Sequence, residues 1–278
     1  MLTFIFAAIA GVAVGVLSGM LGIGGGTVMV PIFRLAFGLS ALSAAATSLF
    51  TIIPTSLAGC VTHIRNKTCQ IPLGLAAGLG GACTSPVGVW LASISPSWAI
   101  MLAAALIIGY SAISMLRKAI AMPKGIPAPS EVCVVAATPP PQRAKSASVK
   151  VSLTKSQLLK GAAIGLAAGV ASGYVGVGGG FIMVPLFISV VGISMRQASG
   201  TSLISVTILA IPGVIAQALL GNVDFLAGIA MAVGSIPGAM IGANLMRRVP
   251  ERALRFVFGG FLVVVAIVLV LNEFGILS

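Results

Sequence analysis

Gly22-Ile23-Gly24-Gly25-Gly26-Thr27-Val28-Met29-Val30-Pro31 and Gly176-Val177-Gly178-Gly179-Gly180-Phe181-Ile182-Met183-Val184-Pro185 are two copies of one stretch, each set in strongly apolar sequence. A glycine inside a helix costs about 1 kcal/mol relative to alanine, so three in succession end or break the helix. Inside a membrane a broken backbone is tolerated only where protein or a water-filled cavity covers it. Matching breaks in two halves of a chain mark the binding site of secondary transporters.

The surroundings require a membrane. Of 278 residues 58% are hydrophobic and 7% charged, with a mean hydropathy of +1.16. A soluble domain carries about 25% charged residues. Apolar runs of about 20 residues indicate helices rather than the alternating strands of a barrel. A net charge of +12 would suggest a nucleic-acid partner in a soluble protein. Here eight of the sixteen Lys and Arg fall between Arg117 and Lys160, the pattern of a cytoplasmic loop, and no nucleic acid is implied.

Shifting the chain by 154 residues aligns 11–49 with 165–203 without a gap, and 20 of these 39 positions are identical. The matches include Gly15/Gly169, Ser18/Ser172, Gly19/Gly173, Pro31/Pro185 and Thr47-Ser48/Thr201-Ser202, and the register continues through Gly59/Gly213, Gly74/Gly228, Gly80/Gly234 and Gly88/Gly242. The chain is a duplication. The apolar run 3–20 lacks the basic start of a signal peptide and has an internal counterpart, so it belongs to the fold. After each glycine run a short apolar piece follows, 27–39 and 181–193. Thirteen helical residues reach about 20 Å, short of the 30 Å hydrocarbon core, so each half opens with a broken or re-entrant pair. Full spans are expected at 42–61, 71–92 and 98–116, then at 196–219, 225–246 and 252–272. Six prolines between Pro123 and Pro141 make 117–157 a flexible linker between repeats 1–116 and 158–278.

Loop charges set the orientation. His63-Ile64-Arg65-Asn66-Lys67 is basic where its counterpart 217–221 is neutral, and Arg247, Arg248, Arg252 and Arg255 face a neutral counterpart at 93–98. Equivalent loops therefore lie on opposite sides of the membrane. The expectation is an all-α integral membrane protein of two inverted repeats, each a broken helix pair plus three full spans, eight to ten membrane segments in all. Loops 62–68, 117–157 and 247–253 are cytoplasmic in this scheme, and Arg34 is the exception.

Bare glycine backbone can point N–H groups at a ligand, and helices starting at Thr27 and Phe181 add the positive ends of their dipoles. The candidate binding set for a small anion is Gly24, Gly25, Gly26, Thr27, Gly178, Gly179, Gly180 and Phe181, joined by Thr47, Ser48, Thr201 and Ser202 as hydroxyl donors. Such hydroxyls also bond back to the i−4 carbonyl, and both uses stay open. Gly11, Gly15 and Gly19 have helix-packing spacing instead. Arg34 and Arg196 are candidates for drawing anions to a cavity mouth, and each is equally suited to snorkelling. His63, the sole histidine, is expected at the interface, with gating or proton transfer as its second reading. The four acids, Glu131, Asp224, Glu251 and Glu273, all fall at loops or ends, so no carboxylate relay lies deep in a span. Cys60, Cys69, Cys83 and Cys133 form no C-x-x-C pair, and neither they nor any nucleophile–base pair calls for a metal, a cofactor or enzyme chemistry.

The doubled G-x-G-G-G-x-x-x-V-P, carried by Gly22, Gly24, Gly25, Gly26, Val30 and Pro31 and again by Gly176, Gly178, Gly179, Gly180, Val184 and Pro185, resembles the sulfite exporter TauE/SafE family. The resemblance covers the chain apart from 117–157. It implies a multi-pass protein of the bacterial inner membrane that moves small sulfur-containing or organic anions such as sulfite or sulfoacetate. An anion channel, or a structural membrane subunit without alternating access, is the other class of reading.

Overall fold

The structure is a computed structural model and describes residues 2–120 and 155–273. Most of the expected linker, residues 121–154, lies outside them. The first half comprises α1 (Leu2–Leu21), α2 (Gly26–Phe37), α3 (Ala41–Arg65), α4 (Ile71–Ile94) and α5 (Ser97–Ile120). The second comprises α6 (Lys155–Val175), α7 (Gly180–Leu186, continued by a π-helical turn Phe187–Val191), α8 (Met195–Leu219), α9 (Phe225–Leu245) and α10 (Glu251–Glu273). No strand occurs among the described residues. Among the described residues six helices are long and apolar enough to cross a membrane, namely α3, α4, α5, α6, α8 and α9 with its short continuation to Arg248.

Each half packs its first helix on the other half. On α1, Ala8, Val12 and Val16 lie against Gly234, Gly238 and Gly242 of α9, while Gly11, Gly15 and Gly19 face Met231, Ser235 and Ala239. A methyl group on Gly15 would come within 2.8 Å of the Ser235 Cα. Helix α6 repeats this against α4, where Leu73, Ala77, Gly81 and Ser85 meet Gly161, Gly165, Gly169 and Gly173. Lipid supplies no hydrophobic drive between helices, so small residues that bring backbones close provide the van der Waals contact instead. The glycine spacing gave this face away, though not its partner.

These registers fix direction. Helices α1 and α9 are parallel, and α9 is parallel to α3, because Thr47, Thr51 and Thr55 bond in step to Asp224, Gly228 and Ser235. So α1 and α3 start on the same side, and the α1–α2 pair returns to the side it entered from. The equivalent helices α3 and α8 are antiparallel: Leu49, Ser56 and Gly59 meet Gly213, Thr207 and Leu203. The halves are therefore inverted. Apart from Arg34, every described Lys and Arg sits on the side that carries loops 66–70 and 246–250, which is cytoplasmic by the positive-inside rule. Asn66 joins these two loops, donating to Asn244 at 2.9 Å and accepting from Arg247 at 3.2 Å.

Candidate functional site

Each hairpin turns on its glycines. Gly25 (φ +87°) and Gly179 (φ +68°) precede α2 and α7 in the left-handed region, where a Cβ costs about 1–2 kcal/mol. No side chain caps either helix start. The carbonyl of Gly25 accepts from Val28 and Met29 at 3.1 Å each, and that of Gly179 from Ile182 and Met183 at 3.1 and 3.0 Å. The positive helix ends thus keep their remaining first-turn amides in the turn itself.

The two turns meet each other. A methyl on Gly26 would lie 2.7 Å from the Val177 carbonyl, and one on Gly180 would lie 2.6 Å from the Gly22 oxygen. Both turns rest on the same two side chains. A methyl on Gly24 would come 2.9 Å from Val206 Cγ1 and 3.2 Å from Ile52 Cγ2, and one on Gly178 would come 2.9 Å from Ile52 Cδ1. Ile52 and Val206 are equivalent under the 154-residue shift and lie at the middle of α3 and α8. All residues of both turns are buried, so the junction is closed to both sides in this conformation.

Hydroxyls are arranged with the same symmetry. Ser48 donates to the carbonyls of Ala45 and Gly176, and Ser202 to those of Ser199 and Gly22, at 2.8 and 2.6 Å for the latter pair. Each serine thus anchors the glycine turn of the opposite half, and Ser199 adds a bond to the Leu21 carbonyl at 3.0 Å. Thr47 accepts from the Asp224 amide at 3.0 Å and Thr201 from the Gln70 amide at 2.9 Å, which tethers the starts of α9 and α4. The fully buried hydroxyls without a partner are others: Ser18, Ser172 and Thr27, with Ser85 further along α4. Ser18 Cβ lies 3.5 Å from a methyl built on Gly25, and Ser172 Cβ lies 3.4 Å from one on Gly179. An unpartnered buried hydroxyl costs about 1–3 kcal/mol. Sequence reasoning left Ser18 and Ser172 out of the candidate set, although their identity across the repeat was the available signal. Thr27 has Phe181 as its counterpart, so the junction is polar on one side and aromatic on the other.

The remaining candidates do not join it. Arg34 ends α2 at the outer side, whereas Arg196 opens α8 at the cytoplasmic side with Nη2 donating to the Val249 carbonyl at 2.9 Å. His63 lies in the last turn of α3, at its cytoplasmic end, but faces protein. Its side chain is fully buried, with Nε2 2.9 Å from the Gly19 carbonyl and Nδ1 2.7 Å from Thr68 Oγ1. The last turn of α1 folds over it, a contact across 44 residues that local sequence does not announce. In the second half Gln217 takes its place, accepting from Asn222 at 2.8 Å. Burial pushes the thiol of Cys69, in the adjoining loop, above its ordinary range and keeps it protonated. No group of three or more His, Cys, Asp or Glu suited to a metal occurs among the described residues.

A family model described as "Sulfite exporter TauE/SafE" matches residues 7–269. Relatives include the probable membrane transporter protein YdhB of Bacillus subtilis, 28% identical over 87% of this chain and 89% of its own length. YunE of the same organism, also named a probable membrane transporter protein, is 25% identical over 91% of this chain and 92% of its own. No solved structure matches the chain. The inverted halves, the doubled glycine turn and a match over nearly the whole length agree: this multi-pass membrane protein belongs to the sulfite exporter TauE/SafE family of membrane transporters.

Proposed function

We propose that the chain is a secondary transporter that exports a small anion, sulfite or an organosulfonate such as sulfoacetate, through a single site where the two glycine turns meet. The observation that carries this reading is the contact of Gly26 with Val177 and of Gly180 with Gly22, midway along α3 and α8. Two uncapped helix starts meet there, with the unpartnered hydroxyls of Ser18 beside Gly25, Ser172 beside Gly179 and Thr27 in the first turn of α2. Unpartnered O–H donors suit a ligand made of oxygen acceptors, and the dipoles of the two helix starts favour one that is negative. Ser48 and Ser202 support the turns, and Thr47 and Thr201 the starts of α9 and α4, rather than the anion directly. The family's description supports the sulfur oxyanion, and the relatives' bacterial source supports the inner membrane. Arg34 and Arg196 serve as entry charges on opposite faces, and His63 as a gating element through Gly19.

The topology supports alternating access. One hairpin enters from outside and the other from the cytoplasm, so withdrawing one from Ile52 and Val206 while the other stays packed opens the junction to one side only. The test is flux in proteoliposomes with sulfite, sulfate, thiosulfate, sulfoacetate and acetate. Saturation and counterflow with sulfite or sulfoacetate support the proposal. Non-saturating flux without counterflow would instead favour a channel.

A further inference from the structure

On the cytoplasmic half of α5 the protein presents a cleft of about 260 Å³ lined by Tyr110, Ile113, Ser114, Arg117 and Lys118. It adjoins a smaller one of about 110 Å³ between α5 and α7, where Ser111, Ser114, Pro185 and Ser189 contribute. Lys118 Nζ donates to the Pro185 carbonyl at 3.3 Å, so the cation sits against the α6–α7 hairpin. Glu251 is the one acidic side chain on this side among the described residues. It is occupied by Arg255 at 2.7 Å and by the Met195 amide at 3.0 Å. Below the cations, Leu102, Leu106, Tyr110 and Ile113 form an exposed stripe along one face of α5, at 46, 67, 72 and 58%. From Leu106 to Arg117 is eleven residues, about 16 Å of helix, roughly the depth of one leaflet.

We propose that this cleft binds an anionic phospholipid of the cytoplasmic leaflet, with its phosphate on Arg117 and Lys118 and an acyl chain along Leu106 and Leu102. Tyr110 and Ser114 sit at the boundary, where amphipathic side chains meet head groups. Simple snorkelling would place two basic side chains near any head group. It would not join them to a hydroxyl-lined cleft, an apolar track of leaflet depth and a carbonyl of the hairpin. Net positive charge with the local acid already paired selects an anionic lipid over a zwitterionic one.

The test is thermal unfolding of the full chain in neutral detergent, titrated with phosphatidylglycerol, phosphatidylcholine or soluble glycerol 3-phosphate. Phosphatidylglycerol alone is expected to raise the unfolding temperature saturably. Arg117→Gln, at an exposed position, should weaken that response about fivefold, and Arg117→Gln with Lys118→Gln about 25-fold. Lys67→Gln, on the same side but away from α5, should leave it unchanged, and Leu106→Ser should reduce it. Equal shifts with phosphatidylcholine, an equal response to glycerol 3-phosphate, or an undiminished response in Arg117→Gln would overturn the proposal.

Discussion

Ser202 Oγ donates to the carbonyl oxygen of Gly22 at 2.6 Å, so the second half's first full helix holds the first half's glycine turn. Ser48 does the same for Gly176. Removing such a bond between membrane helices costs on the order of 1 kcal/mol, and here it frees a buried carbonyl at the turn. Ser202→Ala and Ser48→Ala should each unfold at slightly lower temperature and lose several-fold in maximal flux. Flux and unfolding temperature equal to the parent's would show that the anchors have no part in transport.

If the anion binds at the turns as proposed, Ser18 and Ser172 act on affinity rather than on the fold, because their hydroxyls bond to no protein atom. A hydrogen bond to a charged group contributes about 1.5–3 kcal/mol. Ser18→Ala with Ser172→Ala should therefore raise the KM for sulfite tenfold or more while stability holds or rises. An unchanged KM would place the anion elsewhere.

The second half separates the two roles of His63. Gln217 clamps the loop to Asn222 without a titratable group, as His63 clamps its own loop to Thr68. His63→Gln should keep the fold and most of the flux, and His63→Ala should lose both in part. If His63→Gln abolishes flux, or removes a response to an imposed pH gradient, the imidazole is a proton relay.

Much of this was readable in the chain. The 154-residue shift exposed the duplication, the glycine runs marked both turns, and the swapped charges of 63–67 and 247–255 oriented the halves. The hidden parts are long-range. The length of the apolar α1 does not tell its direction, and only its register on α9 shows that the chain turns back. The stripe Gly11, Gly15 and Gly19 announces a close neighbour but does not name it. Thr47 and Ser48 looked alike as donors. Contacts 177 and 128 residues away made one an acceptor for a backbone amide and the other an anchor.

The proposed energy coupling rests on where the acids are. Asp224 caps α9 at the outer side and Glu251 opens α10 at the cytoplasmic side, so neither lies inside a span. Export of an anion from a negative interior gains about 2.3 kcal/mol per charge per 100 mV. Efflux from proteoliposomes at fixed pH should rise as the interior is clamped more negative with potassium and valinomycin. Flux indifferent to potential but driven by a pH gradient would contradict this.

Equilibrium binding of radiolabelled sulfite to the purified chain tests the shared site most directly. Gly25→Val and Gly179→Val each place a β-branched side chain where φ is positive, and Gly109→Val, with open space around it, is the control. One site made by both turns predicts one sulfite per chain, retained in the control and lost in either turn variant alone. Two sulfites per chain, or one that survives in either turn variant, would contradict it.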